Sequence, residues 1–256
     1  MKGFSAVYKK ELYVFMASPI FFVMAFIFLG LMGYFFYTSV AFYNLMSYQA
    51  AQNPYMAPEM NMTSMVVRPF FGDMAIVMLF IFPLLTMRLF SEEKKSGTIE
   101  LLFTLPIKEQ ALALAKYVAS LTVFGIMLLG TIPFLLLMNV FGTPDWGVIM
   151  SGYLGVFLLG SAFIALGMFV SSLTENQIVA ACVAFGALLM FWLIGWVKSY
   201  IGGAGGEVME YLGILGHLDN LLKGLIDSRD VLYYVLFTLF FVFCTLRTLD
   251  SKKWRS

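Results

Sequence analysis

A chain of 256 residues that is 61% hydrophobic and only 12% charged, with 27 Phe, is too apolar for an ordinary soluble domain. Its mean hydropathy of +0.88 says the same. The formal net charge of +1 gives no electrostatic reason to expect a nucleic-acid partner, and none is expected.

Uncharged runs occupy Leu12–Pro58, Met74–Met87, Tyr117–Pro144, Trp146–Thr174, Asn176–Val197 and Val231–Leu246. A spanning helix needs about 20 apolar residues. The runs therefore predict six spans, at 19–41, 70–89, 117–141, 147–171, 177–198 and 231–249. Strand-period alternation is absent, which argues against a β-barrel. The expected fold is an all-α membrane protein, a single transmembrane domain over residues 1–256.

Basic residues set the orientation. With the N-terminus in the cytoplasm, twelve of the 16 fall inside: Lys2, Lys9, Lys10, Arg88, Lys94, Lys95, Lys108, Lys116, Arg247, Lys252, Lys253 and Arg255. Arg68, Lys198, Lys223 and Arg229 remain outside. The expectation is a multi-pass protein of the cytoplasmic (inner) membrane, with both termini cytoplasmic. The first apolar run is too long for a signal-peptide core and lacks an Ala-x-Ala site, so it reads as a retained anchor. Cys182 and Cys244 both fall within spans, where neither a disulfide framework nor a zinc site is expected.

In chain order, residues 2–17 come first. Phe4, Val7, Tyr8, Leu12 and Phe15 recur at helical spacing, interrupted by Lys9, Lys10 and Glu11. This predicts an amphipathic helix lying along the inner membrane surface; a plain extension of the first span is the alternative. Ser18-Pro19 opens that span, since Pro is tolerated in a first helical turn. The outer loop, about 44–65, carries Met46, Met56, Met60, Met62 and Met65. Thioether clusters can bind Cu(I), but no Cys or His joins them, and a mobile loop or partner surface is preferred. Asn61-Met-Thr63 matches a glycosylation acceptor, a short pattern that arises easily by chance. Arg68 and Asp73 stand at the outer end of the second span, where solvation or mutual pairing is expected over a buried role.

Beyond the cytoplasmic stretch after span two, Pro133 is expected to bend the third span by removing a backbone donor. The short Gly142-Thr-Pro-Asp-Trp146 loop then makes a tight antiparallel hairpin, with Trp146 as an interfacial anchor. Spans four and five are rich in small residues, among them Gly152, Gly155, Gly160, Gly167, Ser171, Ala180 and Ala184, which permit close helix approach. Residues 199–230 return to the outer side, with a Gly202–Gly206 hinge and a short helix or re-entrant hairpin before the last span. His217, the only histidine, has no visible catalytic or metal partners and reads as part of a structural polar loop.

The densest charge cluster is Arg88-Leu-Phe-Ser-Glu-Glu-Lys-Lys-Ser-Gly-Thr-Ile-Glu-Leu-Leu-Phe-Thr-Leu-Pro-Ile107. Long apolar segments flank it, so it must lie in water. Gly97 interrupts any helix and permits a sharp turn, and Pro106 suits the first turn of a new helix over 106–116. Two readings fit the residues: a contact surface for a soluble partner, or a solvated loop whose charges fix topology.

This stretch resembles the signature of ABC-2 type transporter permeases. Gly97, Thr98, Glu100, Leu102 and Pro106 match it, and Glu93-Lys94 fits its Glu-Lys pair. Ala115 stands where the family has Gly before Lys116. Met16-Ala-Ser-Pro19 and Phe90-Ser-Glu-Glu-Lys-Lys95 are most similar to the gliding-motility-associated permeases of that family. The resemblance implies two permease subunits and two cytoplasmic ATPase subunits, coupled through a cytoplasmic helix at 89–106. Its contact residues would be Glu92, Glu93, Lys94, Lys95, Gly97, Thr98, Glu100, Leu102 and Pro106, with Glu93 and Glu100 facing water. The second membrane subunit would be another copy or a paralogue carrying an extracytoplasmic domain. The chain has no Gly-x-x-x-x-Gly-Lys-(Ser/Thr), so ATP-Mg would belong to the partner, and neither catalytic residue nor cofactor is expected here. The function expected is that of an exporter or mechanotransmitter permease. The alternatives are a structural subunit of an assembly or motility complex and a secondary transporter; the latter is disfavoured because no ionisable residue lies deep in a span.

Overall fold

The computed structural model describes residues 2–52, 61–98, 100, 108–199 and 202–253. Every regular element among them is helical: α1 (Lys2–Ala17), α2 (Pro19–Gln52), α3 (Arg68–Thr86), α4 (Arg88–Lys95), α5 (Glu109–Leu129), α6 (Ile132–Phe141), α7 (Trp146–Leu173), α8 (Gln177–Leu193), α9 (Ala204–Leu212), α10 (Ile214–Leu222) and α11 (Ser228–Lys253). A π turn over Thr63–Val67 leads into α3, and a 3-10 turn over Ile194–Ser199 follows α8. Among the described residues six helical stretches are long and apolar enough to cross a membrane, as a six-helix membrane protein requires.

The boundaries differ from the sequence expectation in instructive ways. The first spanning helix runs to Gln52 rather than 41, so 42–52 are helical where a loop was expected. Its outer turns are polar but contain no breaker until Pro54. Residues 53–60 of the Met-rich loop, with Met56 and Met60, lie outside the described residues. The second stretch is helical from Thr63 to Lys95, not 70–89, because Met87 keeps helical dihedrals of φ −53° and ψ −32°. The α4 segment is thus a near-continuation of α3. The third stretch starts at Glu109, eight residues before the apolar run. It breaks after Leu129, and Pro133 sits in the first turn of α6. Thr131 Oγ1 donates to Leu128 O at 2.7 Å and bonds Tyr153 Oη at 3.0 Å, satisfying groups freed by the break.

The hub is α7, whose apolar window is 78% buried. Its glycines sit where neighbours come closest. A Cβ on Gly152 would stand 2.4 Å from Phe71, on Gly160 2.2 Å from Phe124, and on Gly167 2.1 Å from Thr86. Small residues let α3 and α5 approach the α7 backbone. Midway along α7, Tyr117 Oη donates to Ser161 Oγ at 3.0 Å, and Ser161 Oγ bonds Thr238 Oγ1 at 3.0 Å. These hydroxyls join α5, α7 and α11 at membrane depth. Asp145 caps α7 by accepting from Gly147 N at 2.8 Å, and Asn176 caps α8 by accepting from Ile178 N at 2.9 Å.

Loops segregate to two ends. At one end, α1, α4, the start of α5 and the α7–α8 turn lie together. At the other, Asp145 N donates to Thr63 Oγ1 at 3.0 Å, and α10 packs on the first turns of α7 through Ser151 Oγ, which donates to Leu221 O at 2.8 Å.

Candidate functional site

The charged end is built on α4. A helix at 3.6 residues per turn puts Leu89, Phe90, Glu93 and Lys94 on one side. All four are buried, as is Ser91. Glu92, Lys95, Ser96, Gly97, Thr98 and Glu100 are exposed. Gly97 ends the helix with φ at +68°, a left-handed conformation that disfavours side chains. Ser96 N and Gly97 N donate to Glu92 O and Lys94 O at 3.0 and 3.2 Å and close the last turn.

Two sets of contacts hold α4. On the α7 side, Ser171 Oγ accepts from Phe90 N at 3.0 Å and from Ser91 N at 3.2 Å, and donates to Met87 O at 2.8 Å. Lys94 Nζ donates to Ser172 O. The other set is ionic. Lys116 of α5 is 1% exposed, and its Nζ lies 2.9 Å from Glu11 Oε1 and 3.0 Å from Glu93 Oε2. Lys10 Nζ lies 2.7 Å from Glu93 Oε1 and 3.0 Å from Glu11 Oε1. Two cations and two carboxylates from three helices therefore close a neutral ring. The Phe90 ring lies beneath it, with its centroid 5.2 Å from Lys116 Nζ. Arg88 Nη2 donates to Ser18 Oγ at 2.8 Å, tying the joint between α1 and α2 to the root of α4.

Burial by itself would raise the Glu11 carboxyl, but Lys116, and then Lys10, hold it below its ordinary range. Burial by itself would lower the half-exposed Lys10 ammonium, but Glu93 and Glu11 raise it. Both groups are held in their charged forms.

The ring corrects two expectations. Glu93 does not face water; it is 8% exposed and turned inward, because Lys116 needs a second carboxylate. The α1 stripe is not given over to the bilayer either. Val7, Glu11 and Phe15 are buried within the protein, and Tyr8 Oη bonds Thr122 Oγ1 at 3.1 Å on α5. Of the expected contact residues, Glu92, Lys95, Gly97, Thr98 and Glu100 remain available at the surface, while Glu93 and Lys94 are occupied inside the chain. Leu102 and Pro106 lie outside the described residues. Sequence reasoning missed Lys10, Glu11, Lys116, Ser171 and Ser172. One signal was present: Val7, Glu11 and Phe15 fall at i, i+4 and i+8, which places a carboxylate inside an apolar stripe.

At the opposite end, His217 has partners that the sequence did not suggest. Its Nδ1 lies 2.6 Å from Asp230 Oδ1 and its Nε2 2.9 Å from Tyr211 O. Asn220 Nδ2 donates to Asp230 Oδ2 at 3.0 Å, and the imidazole stacks 4.0 Å from the Tyr233 ring. These hydrogen bonds tie α10 to the last residues of α9 and to the first turn of α11. Among the described residues no group of His, Cys, Asp or Glu could hold a metal ion. Arg68 and Asp73 form no ion pair with each other.

A helical membrane bundle with a charged, helix-borne element at one end matches a known pattern. The family model described as ABC-2 family transporter protein covers residues 5–211. The chain belongs to the ABC-2 family. A search of curated proteins finds no match. Membership makes the chain a membrane-embedded permease subunit of an ABC transporter, a subunit without an ATPase site of its own that works with an ATPase subunit. The matched span takes in α1 from Ser5 onward, α4, α5 and all of α7, and so every residue of the ionic ring.

Proposed function

We propose that α4 and the residues after it, 89–106, are the element through which the partner ATPase drives this permease. The observation that carries this reading is a division of labour on one short helix. Glu93 and Lys94 are spent inside the protein, bolting α4 to α1, α5 and α7. Glu92, Lys95, Thr98 and Glu100 are presented at the surface next to them. Because α4 nearly continues α3, a force on this surface reaches a membrane-spanning helix without passing through a flexible loop. Coupling requires that a contact differ between two states, and a rigid lever satisfies that requirement.

In this reading the ATPase grips Glu92, Lys95, Thr98 and Glu100, Gly97 shapes the turn, and Leu102 and Pro106 continue the contact. ATP-Mg sits on two ATPase copies, beneath two permease subunits that are either two copies of this chain or this chain with a paralogue bearing an extracytoplasmic domain. The charged end lies in the cytoplasm, below the inner membrane. Export, or mechanical work on a partner, is the output; the motif residues similar to gliding-motility permeases favour mechanical work.

The test is Glu92→Lys combined with Glu100→Lys. Both side chains are exposed, so the stability change stays within about 0.5 kcal/mol. The variant inserts and folds as the parent does, but loses copurification of the coexpressed ATPase or uncouples its hydrolysis. Normal assembly with normal hydrolysis in that variant would refute the coupling role.

A further inference from the structure

Burying an ammonium as fully as Lys116 is unfavourable unless partners surround it, and apolar residues of similar size hold helices together at least as well. What an ionic ring adds is geometric specificity. All of its contacts close only in one pose of α4 relative to α1 and α5, because each helix supplies a charge that the other two need: Lys10 and Glu11 from α1, Glu93 from α4, Lys116 from α5. The ring is also not packed solid. A cavity of about 220 Å³ borders it, lined by Lys10, Glu11, Arg88, Glu92, Glu93 and Thr98 among others, and so reaches from the ring to the surface offered to the ATPase.

We propose that Lys10, Glu11 and Lys116 are positioning residues of the coupling device: the ring locks α1, α4 and α5 into one lever, so that α1 moves with α4. This rests on the coupling role proposed above for α4. A push on Glu92 and Glu100 then enters the membrane at three places. It passes through α3, which α4 continues; through α5, gripped at Lys116; and through the root of α2, which follows α1 directly and is tied at Ser18 to Arg88. None of the three positioning residues touches the ATPase in this scheme. Each acts by fixing where Glu93, and with it the exposed face of α4, stands.

The experiment uses the full chain in lipid nanodiscs, with spin labels at the exposed positions Lys9 of α1 and Ser96 at the end of α4, free and in complex with the coexpressed ATPase. In the parent the distance distribution between the labels is narrow and keeps its width when the complex is trapped with ATP analogues. Glu11→Gln broadens it and lowers permease-stimulated hydrolysis by about tenfold or more, within the range of ordinary coupling energies, while the ATPase still copurifies. Inverting all four charges together, with Lys10→Glu, Glu11→Lys, Glu93→Lys and Lys116→Glu, keeps every ring contact between opposite charges and restores a narrow distribution and most of the stimulation. A merely structural role would move the distribution without moving hydrolysis in the assembled complex, and that result overturns the proposal. So does a Glu11→Gln complex with parental width and rate. If the parent chain itself neither binds nor stimulates the ATPase, the coupling reading falls and takes this inference with it.

Discussion

The charged end and the histidine end of the bundle both bury polar side chains, but they are assembled differently. At the histidine end, Tyr211, His217, Asn220, Asp230, Tyr233 and Tyr234 come from 24 consecutive positions. The cluster is aromatic, and it fastens the short helices α9 and α10 to the start of α11. At the charged end, Lys10, Glu11, Glu93 and Lys116 span more than 100 positions and meet only because three helices converge. A cluster of neighbours in sequence can staple its own segment and little else. A cluster drawn from distant helices ties those helices to one another, and it sits beside a surface rich in exposed charge. About 20 residues of α7, or about 30 Å at 1.5 Å per residue, separate Ser151 near one cluster from Ser171 near the other.

Breaking each cluster in turn sharpens this comparison. The largest effect is expected from Lys116→Met. It leaves Glu11 and Glu93 facing each other with only the half-exposed Lys10 between them, and loss of one partner from a buried pair costs about 3–5 kcal/mol. Amide exchange should rise across both α1 and α4, elements more than 70 residues apart. A rise confined to α5 would mean that the ring does not join the three helices.

His217→Ala should cost less, about 1–3 kcal/mol, because Asp230 Oδ1 and the Tyr211 carbonyl lose their imidazole partner while Asn220 still holds Asp230 Oδ2. Its increase in exchange should stay within α9, α10 and the start of α11, and partner-stimulated ATP hydrolysis should keep the parental rate. A loss of hydrolysis there would erase the distinction between the two ends.

The gentlest probe is pH. The Glu11 carboxyl is held below its ordinary value in the folded chain, so its contribution is fully present above the unfolded-state pKa of about 4.3 and is lost as pH falls through the lower folded value. Exchange in α1 should therefore be unchanged between pH 7 and pH 5, after correction for intrinsic rates, and should rise only in stronger acid. Loosening of α1 near pH 6 would show that Glu11 is not held by Lys116 and Lys10.

Much of the bundle was readable from residue order. Six apolar runs needed only length and hydropathy, Pro133 marked the break after Leu129, and Gly97 marked the end of α4 through its left-handed turn. The charged stretch at 88–107 stood out because it packs Arg88, Glu92, Glu93, Lys94, Lys95 and Glu100 between two long uncharged runs. Helix ends were less readable. Hydropathy reports where a helix leaves an apolar medium, and the backbone hydrogen-bond ladder runs on past that point, as in 109–116 and 42–52.

Composition and periodicity thus determined that this chain is a bundle of six spanning helices with one charged element between the second and third. Only the tertiary structure decided which charges on that element face inward. Glu92 and Glu93 are indistinguishable as letters; one is exposed and the other buried, because Lys116 and Lys10 arrive from helices whose approach no local pattern specifies. Helical period gives the angle between two side chains on one helix. Which of them meets a partner depends on how the other helices pack, and that is set by contacts such as Gly167 on Thr86 and Gly160 on Phe124, far from the charges themselves.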